Sequence, residues 1–152
     1  MDDRDARAVA AWRYEPPYDF YDTDADEDDL AELLDAQRRR DVYFAARDET
    51  GALVGFFCLT PRQDGIEIGL GLRPDLTGQG LGLPFLLAGL EFAGERLAAR
   101  RFALRVAAFN QRAIRVYERA GFRATRRFRQ ATNGGMHDFV EMVKDEPADT
   151  RA

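Results

Sequence analysis

Between Gly65 and Arg100 the sequence changes its period twice, and that change restricts the fold more than any other feature. From Gly65 to Leu72 it alternates: Ile66, Ile68, Leu70 and Leu72 share one face, and Glu67, Gly69 and Gly71 share the other. A two-residue repeat of this kind is a strand, here with a strongly apolar side and a bare opposite side. From Gly80 to Arg100 the apolar positions Leu83, Leu86, Leu87, Leu90 and Leu97 recur at helical spacing. The join between them, Thr77-Gly78-Gln79-Gly80-Leu81-Gly82, contains alternating glycines. Glycine lets the backbone turn through positive φ and approach a ligand closely. Successive N–H groups in such a turn form a nest for anions. The helix that follows adds its own unpaired N–H groups and the positive end of its dipole. Strand, glycine loop and helix together predict a site for a phosphate or diphosphate. The loop is not a Walker A loop, because no Gly-Lys-Ser/Thr follows it. Nor is it a dinucleotide fingerprint, because the third glycine is out of place and no βαβ unit precedes it. On these residues alone, a purely structural turn is the alternative.

The rest of the chain frames this segment. Ala8 to Tyr14 is an apolar stretch read as a first strand, and Glu15-Pro16-Pro17-Tyr18 is irregular because consecutive prolines lack donors. Thr23 is expected to cap a helix running to about Arg39, with acidic first turns and Arg38-Arg39-Arg40 at its end. Val42 to Arg47 and Ala52 to Thr60 flank Asp48-Glu49-Thr50-Gly51 as a hairpin. Phe102 to Ala107 is a strand. Asn110 opens a helix to about Ala120, which Gly121 stops. Phe122 to Arg129 and His137 to Val143 are strands around Asn133-Gly134-Gly135. The predicted order is β-α-β-β-β-α-β-α-β-β. The fold class is α+β, with a central, mostly antiparallel mixed sheet and helices on its faces.

At 152 residues the chain is expected to form one domain, 1–152, with a polar, frayed tail at 146–152. No apolar run reaches the roughly 20 residues of a membrane span. The acidic start lacks the pattern of a secretory signal. Cys58 is the only cysteine, so no internal disulfide forms, and a cytoplasmic location is expected. No metal site is expected. The net charge of −5 is unevenly spread: Asp19 to Asp35 carries nine carboxylates and no cation, whereas Arg96 to Arg129 is rich in arginine. Such asymmetry fits an anionic ligand near the second half, or simply solvated faces.

A second segment narrows the ligand. Asn110-Gln111-Arg112-Ala113-Ile114-Arg115-Val116-Tyr117-Glu118-Arg119-Ala120-Gly121-Phe122, taken with Leu72-Arg73-Pro74 and Gly80-Leu81-Gly82, resembles the GNAT superfamily of N-acetyltransferases. Their pattern is a strand ending Val-x-Pro, a loop Arg/Gln-x-x-Gly-x-Gly/Ala opening a helix, and later Asn-x-x-Ala-x-x-x-Tyr-x-x-x-Gly-Phe. The resemblance covers about Val54 to Val143 and reaches the N-terminal part only through the order of elements. Thr77 departs from it, standing where the family usually has Arg or Gln, and Gln79 replaces a frequent Lys.

The resemblance implies that acetyl-CoA is the co-substrate and that an amine is acetylated by direct attack on the thioester. It places the cofactor on Leu70, Leu72, Thr77, Gly78, Gln79, Gly80, Leu81, Gly82 and Asn110. Asn110 is equally a helix cap, and the two roles are compatible. Tyr117 is implied as the general acid, since a phenol with pKa near 10 stays protonated at neutral pH and can donate to a departing thiolate. Packing at helical spacing is its other reading. Glu67, on the face opposite the Ile/Leu set, is the candidate base, acting directly or through water, with Asp64 a weaker alternative. Bare backbone at Gly69 and Gly71 would let the pantetheine arm lie beside the strand, and an N–H near Leu72 would polarise the thioester carbonyl. The aromatic run Trp12 to Tyr21, within an acceptor-side region at 1–41, lines an acceptor pocket or packs as a lid. The acceptor is a small molecule or a protein N-terminus or lysine. Late strands of the family often build homodimers. A non-catalytic acyl-CoA-binding regulatory module is the rival reading. RNA binding through Arg123, Arg126, Arg127 and Arg129 around Phe128 is disfavoured by the acidic chain, so no nucleic acid and no membrane partner is expected.

Overall fold

A computed structural model describes residues 1–145; the predicted frayed tail lies outside them. Helices α1 (Asp3–Ala10), α2 (Glu27–Leu34) and α3 (Ala36–Arg39) precede strands β1 (Tyr43–Arg47), β2 (Leu53–Arg62) and β3 (Gly65–Leu72). Then come α4 (Gly82–Leu97), β4 (Arg101–Ala107), α5 (Gln111–Arg119), β5 (Arg123–Thr132) and β6 (Gly135–Asp145). The sheet order is β1-β2-β3-β4-β6-β5. Every neighbouring pair is antiparallel except β3–β4, which is parallel. The mostly antiparallel mixed sheet of the α+β expectation is therefore present, with six strands.

The N-terminal expectations are corrected. Ala8 to Tyr14 is not a strand; most of it belongs to α1 or to the turn after it. The cause is local. Asp2 Oδ1 accepts from the Asp5 N–H at 2.7 Å, and the Asp2 N–H donates back to Asp5 Oδ2 at 3.4 Å, closing a capping box. Ala6 and Val9, three apart, then bury one helix face. The single helix from Thr23 to Arg39 is broken. Thr23–Ala25 is a 3₁₀ turn, Asp26 caps α2 through the Asp28 and Asp29 N–H groups, and Asp35 caps α3 through Gln37 and Arg38. An aspartate in extended conformation ends one helical run by opening the next.

Two apolar clusters cover the two faces. Leu86, Leu90 and Ala93 of α4 pack on Phe57, Leu59, Ile66 and Ile68, joined by Phe102, Leu104 and Met142. Ala113, Val116 and Tyr117 of α5 join the same side. On the opposite face Ala6, Val9 and Leu33 of α1 and α2 pack against Trp12, Tyr43 and Phe56. Asp26 secures this second layer to the far end of the sheet. Besides capping α2, its Oδ2 accepts from Thr132 Oγ1 and the Asn133 N–H, both at 3.0 Å, at the β5–β6 turn. These donors hold its carboxyl below the usual carboxylate range. A depressed folded-state pKa means that the stabilisation is fully present above the unfolded value, near 4, and is lost as pH falls through the lower, folded-state value. Asp26→Ala is expected to cost about 1–2 kcal/mol at neutral pH and less at pH 3, read from urea midpoints at both. An equal loss at pH 3 would refute the charge-dependent latch.

Candidate active site

The site originates in where the sheet stops pairing. The Arg73 N–H donates to the Val54 carbonyl at 2.8 Å, and Gly71 stands opposite Phe56. Antiparallel alternation then gives β2 the backbone groups of Gly69 and Gly71, and turns those of Ile68, Leu70 and Leu72 toward β4. However, β4 meets β3 only at Ile66–Phe102 and Glu67–Ala103. Beyond Glu67 the strands diverge. The N–H and C=O of Leu70 and the N–H of Leu72 face the gap without a strand partner, a row suited to an amide-bearing chain laid alongside. The bare backbone expected at Gly71 is covered instead by the Phe56 ring, which a Cβ there would meet at 2.3 Å, so the glycine makes room for Phe56 and not for a ligand.

Two tyrosines of the N-terminal segment close the far side. Tyr14 OH donates to the Leu72 carbonyl at 2.7 Å. Across the gap, Tyr21 OH accepts from the Ala107 N–H and from Asn110 Nδ2, each at 3.2 Å. Asn110 is 8% exposed, and its Oδ1 accepts from the Ala113 N–H at 3.1 Å. It is thus the cap of α5 and a brace for Tyr21. Asn110→Ala should cost about 1–2 kcal/mol, the sum of a lost cap and an orphaned contact. Asn110→Asp keeps the cap and loses only the donor to Tyr21, so chemical denaturation should place it between wild type and Asn110→Ala; an Asp variant as stable as wild type would mean that the Tyr21 contact contributes nothing.

Gly78 and Gly80 both adopt positive φ, +73° and +76°, and this left-handed pair delays the start of α4 from the expected Gly80 to Gly82. From Gly78 to Leu83 no backbone N–H donates to another described residue. Asp2, Asp26, Asp35 and Asn110 cap α1, α2, α3 and α5 with side-chain oxygens, whereas α4 begins on Leu81, which has none. The longest helix thus leaves its positive end open, as an anion site requires. Thr77 and Gln79 do not present their side chains as ligands: Thr77 Oγ1 donates to the Pro74 carbonyl at 2.8 Å and Gln79 Nε2 to the Asp75 carbonyl at 2.6 Å. They brace the loop.

Two hollows meet at the gap. One, about 340 Å³, lies against the N-terminal tyrosines and Gly69–Leu72; the other, about 260 Å³, runs over Gly78, Gly80 and Gly82 between α4 and α5. Tyr117, Asn110, Leu70 and Leu72 line both. Burial, reinforced by Tyr21, pushes the Tyr117 phenol up from its ordinary value, so it keeps its proton at neutral pH.

This arrangement, a splayed parallel pair beside an uncapped helix with a tyrosine at the junction, matches a known pattern along the chain. A family model described as "Acetyltransferase (GNAT) domain" matches residues 1–123. The chain belongs to the GNAT acetyltransferase family. The match begins at residue 1, so the N-terminal third shares the family pattern in more than order of elements. Over 82 residues the chain is 42% identical to the mycothiol acetyltransferase of Propionibacterium freudenreichii subsp. shermanii. That stretch is 51% of this chain and 26% of that protein, so the chain spans about a quarter of the curated relative's length. Among solved structures, the Vibrio cholerae spermidine N-acetyltransferase in complex with CoA and spermine superposes with a TM-score of 0.75 at 20% identity, covering 96% of this chain and 92% of that one. A chimera of the Vibrio cholerae spermidine N-acetyltransferase SpeG and hSSAT gives 0.74 at 21% identity, over 96% and 93%. At such identities the likeness is one of fold. For a GNAT protein the co-substrate is acetyl-CoA, and the residues present fit it: open N–H groups for phosphates, unpaired strand amides for the pantetheine arm.

Other expected residues fall outside the gap. Glu67 is 17% exposed; its carboxylate is held by Arg62 and by Arg105 Nε at 2.7 Å, in a neighbouring recess. Arg105 lines both that recess and the gap, and so links the two. Asp64 pairs with Arg101 at 3.2 Å in the same recess. His137 packs edge-on to Phe20 at 5.0 Å and lines neither hollow of the gap. Burial pushes the Cys58 thiol up to about 11, so it is no nucleophile at neutral pH. The aromatic run both lines the hollow and packs as a lid. The bracing hydroxyls of Tyr14 and Tyr21 had no local signal.

Among the described residues, no helix is long and apolar enough to cross a membrane.

Proposed function

We propose that the chain transfers an acetyl group from acetyl-CoA to a primary amine, by direct attack of the amine on the thioester. The observation that carries this reading is the position of Tyr117, a protonated phenol at the one place where both hollows and the open edge of β3 meet. Acetyl-CoA supplies the activated acyl group. The Gly78–Leu83 amides bind its phosphates, and Leu70 aligns its arm. The Leu72 N–H lies where it would stabilise negative charge developing on the acyl oxygen. Tyr117 donates its proton to the leaving sulfur. The amine enters from the tyrosine-lined side, and water carries its proton to Glu67, which lies in the neighbouring recess beside Arg105. No enzyme nucleophile is required, which agrees with a protonated Cys58.

The experiment is thioester consumption with a panel of amines: polyamines, free amino acids, aromatic amines and peptides with a free N-terminus or lysine. Turnover with at least one class is expected. CoA binding without turnover on any amine would overturn the enzyme reading in favour of a regulatory acyl-CoA-binding module.

A further inference from the structure

The hollow against the N-terminal tyrosines has walls that sort amines by what they carry at the far end. Trp12, Tyr14, Tyr21 and Phe56 give it aromatic sides. Two guanidiniums, Arg105 and Arg112, also line it, and no carboxylate of the described residues does. The acidic side chains of α2 stand outside. Asp26 is spent on its cap and on the β5–β6 turn, and Asp28, Asp29 and Glu32 do not line the hollow. Arg112 is occupied with the Tyr18 ring, 3.9 Å from its centroid.

Arg105 has capacity for a further contact. It follows the last β3–β4 pair, Glu67–Ala103, by two residues, which brings it level with Gly69 and onto the face of Glu67. Gly69 has no side chain to fill that face, and an added Cβ would meet only Cys58, at 3.4 Å. Neither a positive φ nor close packing requires a glycine there, so the room beside Arg105 belongs to the hollow. A guanidinium carries five N–H donors. Nε and Nη2 grip Glu67 at 2.7 and 3.3 Å and Nη1 donates to Gln130 Oε1 at 2.8 Å, which uses three and leaves two. Nor does Glu67 neutralise Arg105 outright, since the same carboxylate is shared with Arg62.

We propose that Arg105 is a specificity-determining residue that receives a carboxylate on the acceptor. The acceptor is then an elongated primary amine with an apolar body and an acidic far end. Leu72, whose N–H would face the acyl oxygen, is three residues along β3 from Gly69, roughly 10 Å at about 3.3 Å per residue. The body of the acceptor spans that interval between the aromatic walls, with its amine at the thioester and its carboxylate on the two spare N–H groups. Such a contact is charge-assisted, and a cationic tail at the same place would be repelled. The proposal rests on the reading that an amine is acetylated in this hollow.

The test offers three amines of one shape, with acetyl-CoA, to the purified chain. They are para-(aminomethyl)benzoate, para-methylbenzylamine and para-xylylenediamine, whose far ends are anionic, neutral and cationic. The carboxylate should be acetylated with a kcat/KM about ten-fold above the neutral amine, and the diamine should be the poorest. Arg105→Gln should bring the carboxylate-to-neutral ratio close to unity, and Arg105→Lys should keep part of it. The ratio is taken within each variant, so a loss of folded protein or a disturbed Glu67 cancels from it. A preference for the diamine would overturn the proposal and make the acidic face of α2 the recognising surface. A carboxylate preference that survives Arg105→Gln would overturn the assignment to Arg105. If none of the three is a substrate while another amine of the panel is, the acceptor class falls and acetyl transfer stands. If no amine is acetylated, both fall.

Discussion

Tyr117→Phe should lower turnover about 10²–10³-fold, the usual contribution of a positioned general acid, while CoA affinity changes less than about three-fold. The substitution removes one oxygen and leaves the ring that packs against Phe122, with centroids 6.2 Å apart, so α5 keeps its place. Tyr117 lines both hollows, and burial raises its pKa above the usual phenol range. The sign of the pH dependence follows. A raised pKa keeps Tyr117 protonated throughout the neutral range, so the rate should climb as the acceptor amine loses its proton and should not fall on account of Tyr117 below about pH 10. Initial rates from pH 6 to 10, for wild type and variant with the best amine of the panel, check both points. A variant within about ten-fold of wild type, with an unchanged pH profile, would leave thiolate protonation to solvent and remove Tyr117 from the chemistry.

Phe102→Ala should cost about 3–5 kcal/mol of stability, the range for truncating a buried aromatic. Phe102 is 1% exposed and stands opposite Ile66, at one of the two residue pairs that join β3 to β4. Its ring packs in the core beneath α4, and its backbone stands one pair before the two strands separate. Loss of the ring loosens the join from which the gap opens, and affinity for CoA should fall with stability. Leu59→Ala is the control. Leu59 is fully buried in the same cluster but sits on β2, opposite Ile68 and one strand removed from the β3–β4 join, and should lose a comparable 2–5 kcal/mol with CoA affinity less affected in the folded fraction. Equal effects of the two on affinity would show that the join has no special hold on the site.

What could be read from the sequence, and what could not, divides by the range of the forces involved. β3, α4 and α5 were legible because each carries a strong period over many residues, and because the Gly78–Gly82 loop and the Asn110 cap are chemistry of adjacent residues. The N-terminal third was misread for an equally local reason. The apolar stretch at Ala8–Tyr14 suggested a strand, but the capping box at Asp2 and Asp5 lies upstream of it and decides the matter. In the same way, periodicity across Thr23–Arg39 was outweighed by Asp26 and Asp35, each a better cap than a helix interior residue. The contacts of Tyr14 with Leu72 and of Tyr21 with Ala107 join residues 58 and 86 positions apart and leave no periodic trace. Glu67 was found by its face and its strand, but its two arginine partners and its recess follow from tertiary placement.

The two tyrosine hydroxyls carry one more consequence. Where β3 and β4 part, the backbone ladder that would tie one half of the sheet to the other is missing, and a single N-terminal segment, gripping Leu72 with one phenol and Ala107 with another, spans the opening. Under the proposed function, the wall on the acceptor's side is therefore also a strut of the sheet. A protein built this way cannot exchange its acceptor preference as freely as it would a surface loop. A substitution at Tyr14 or Tyr21 that admits a new amine also loosens the frame that aligns the donor, so selectivity for one substrate and grip on the other are tuned together.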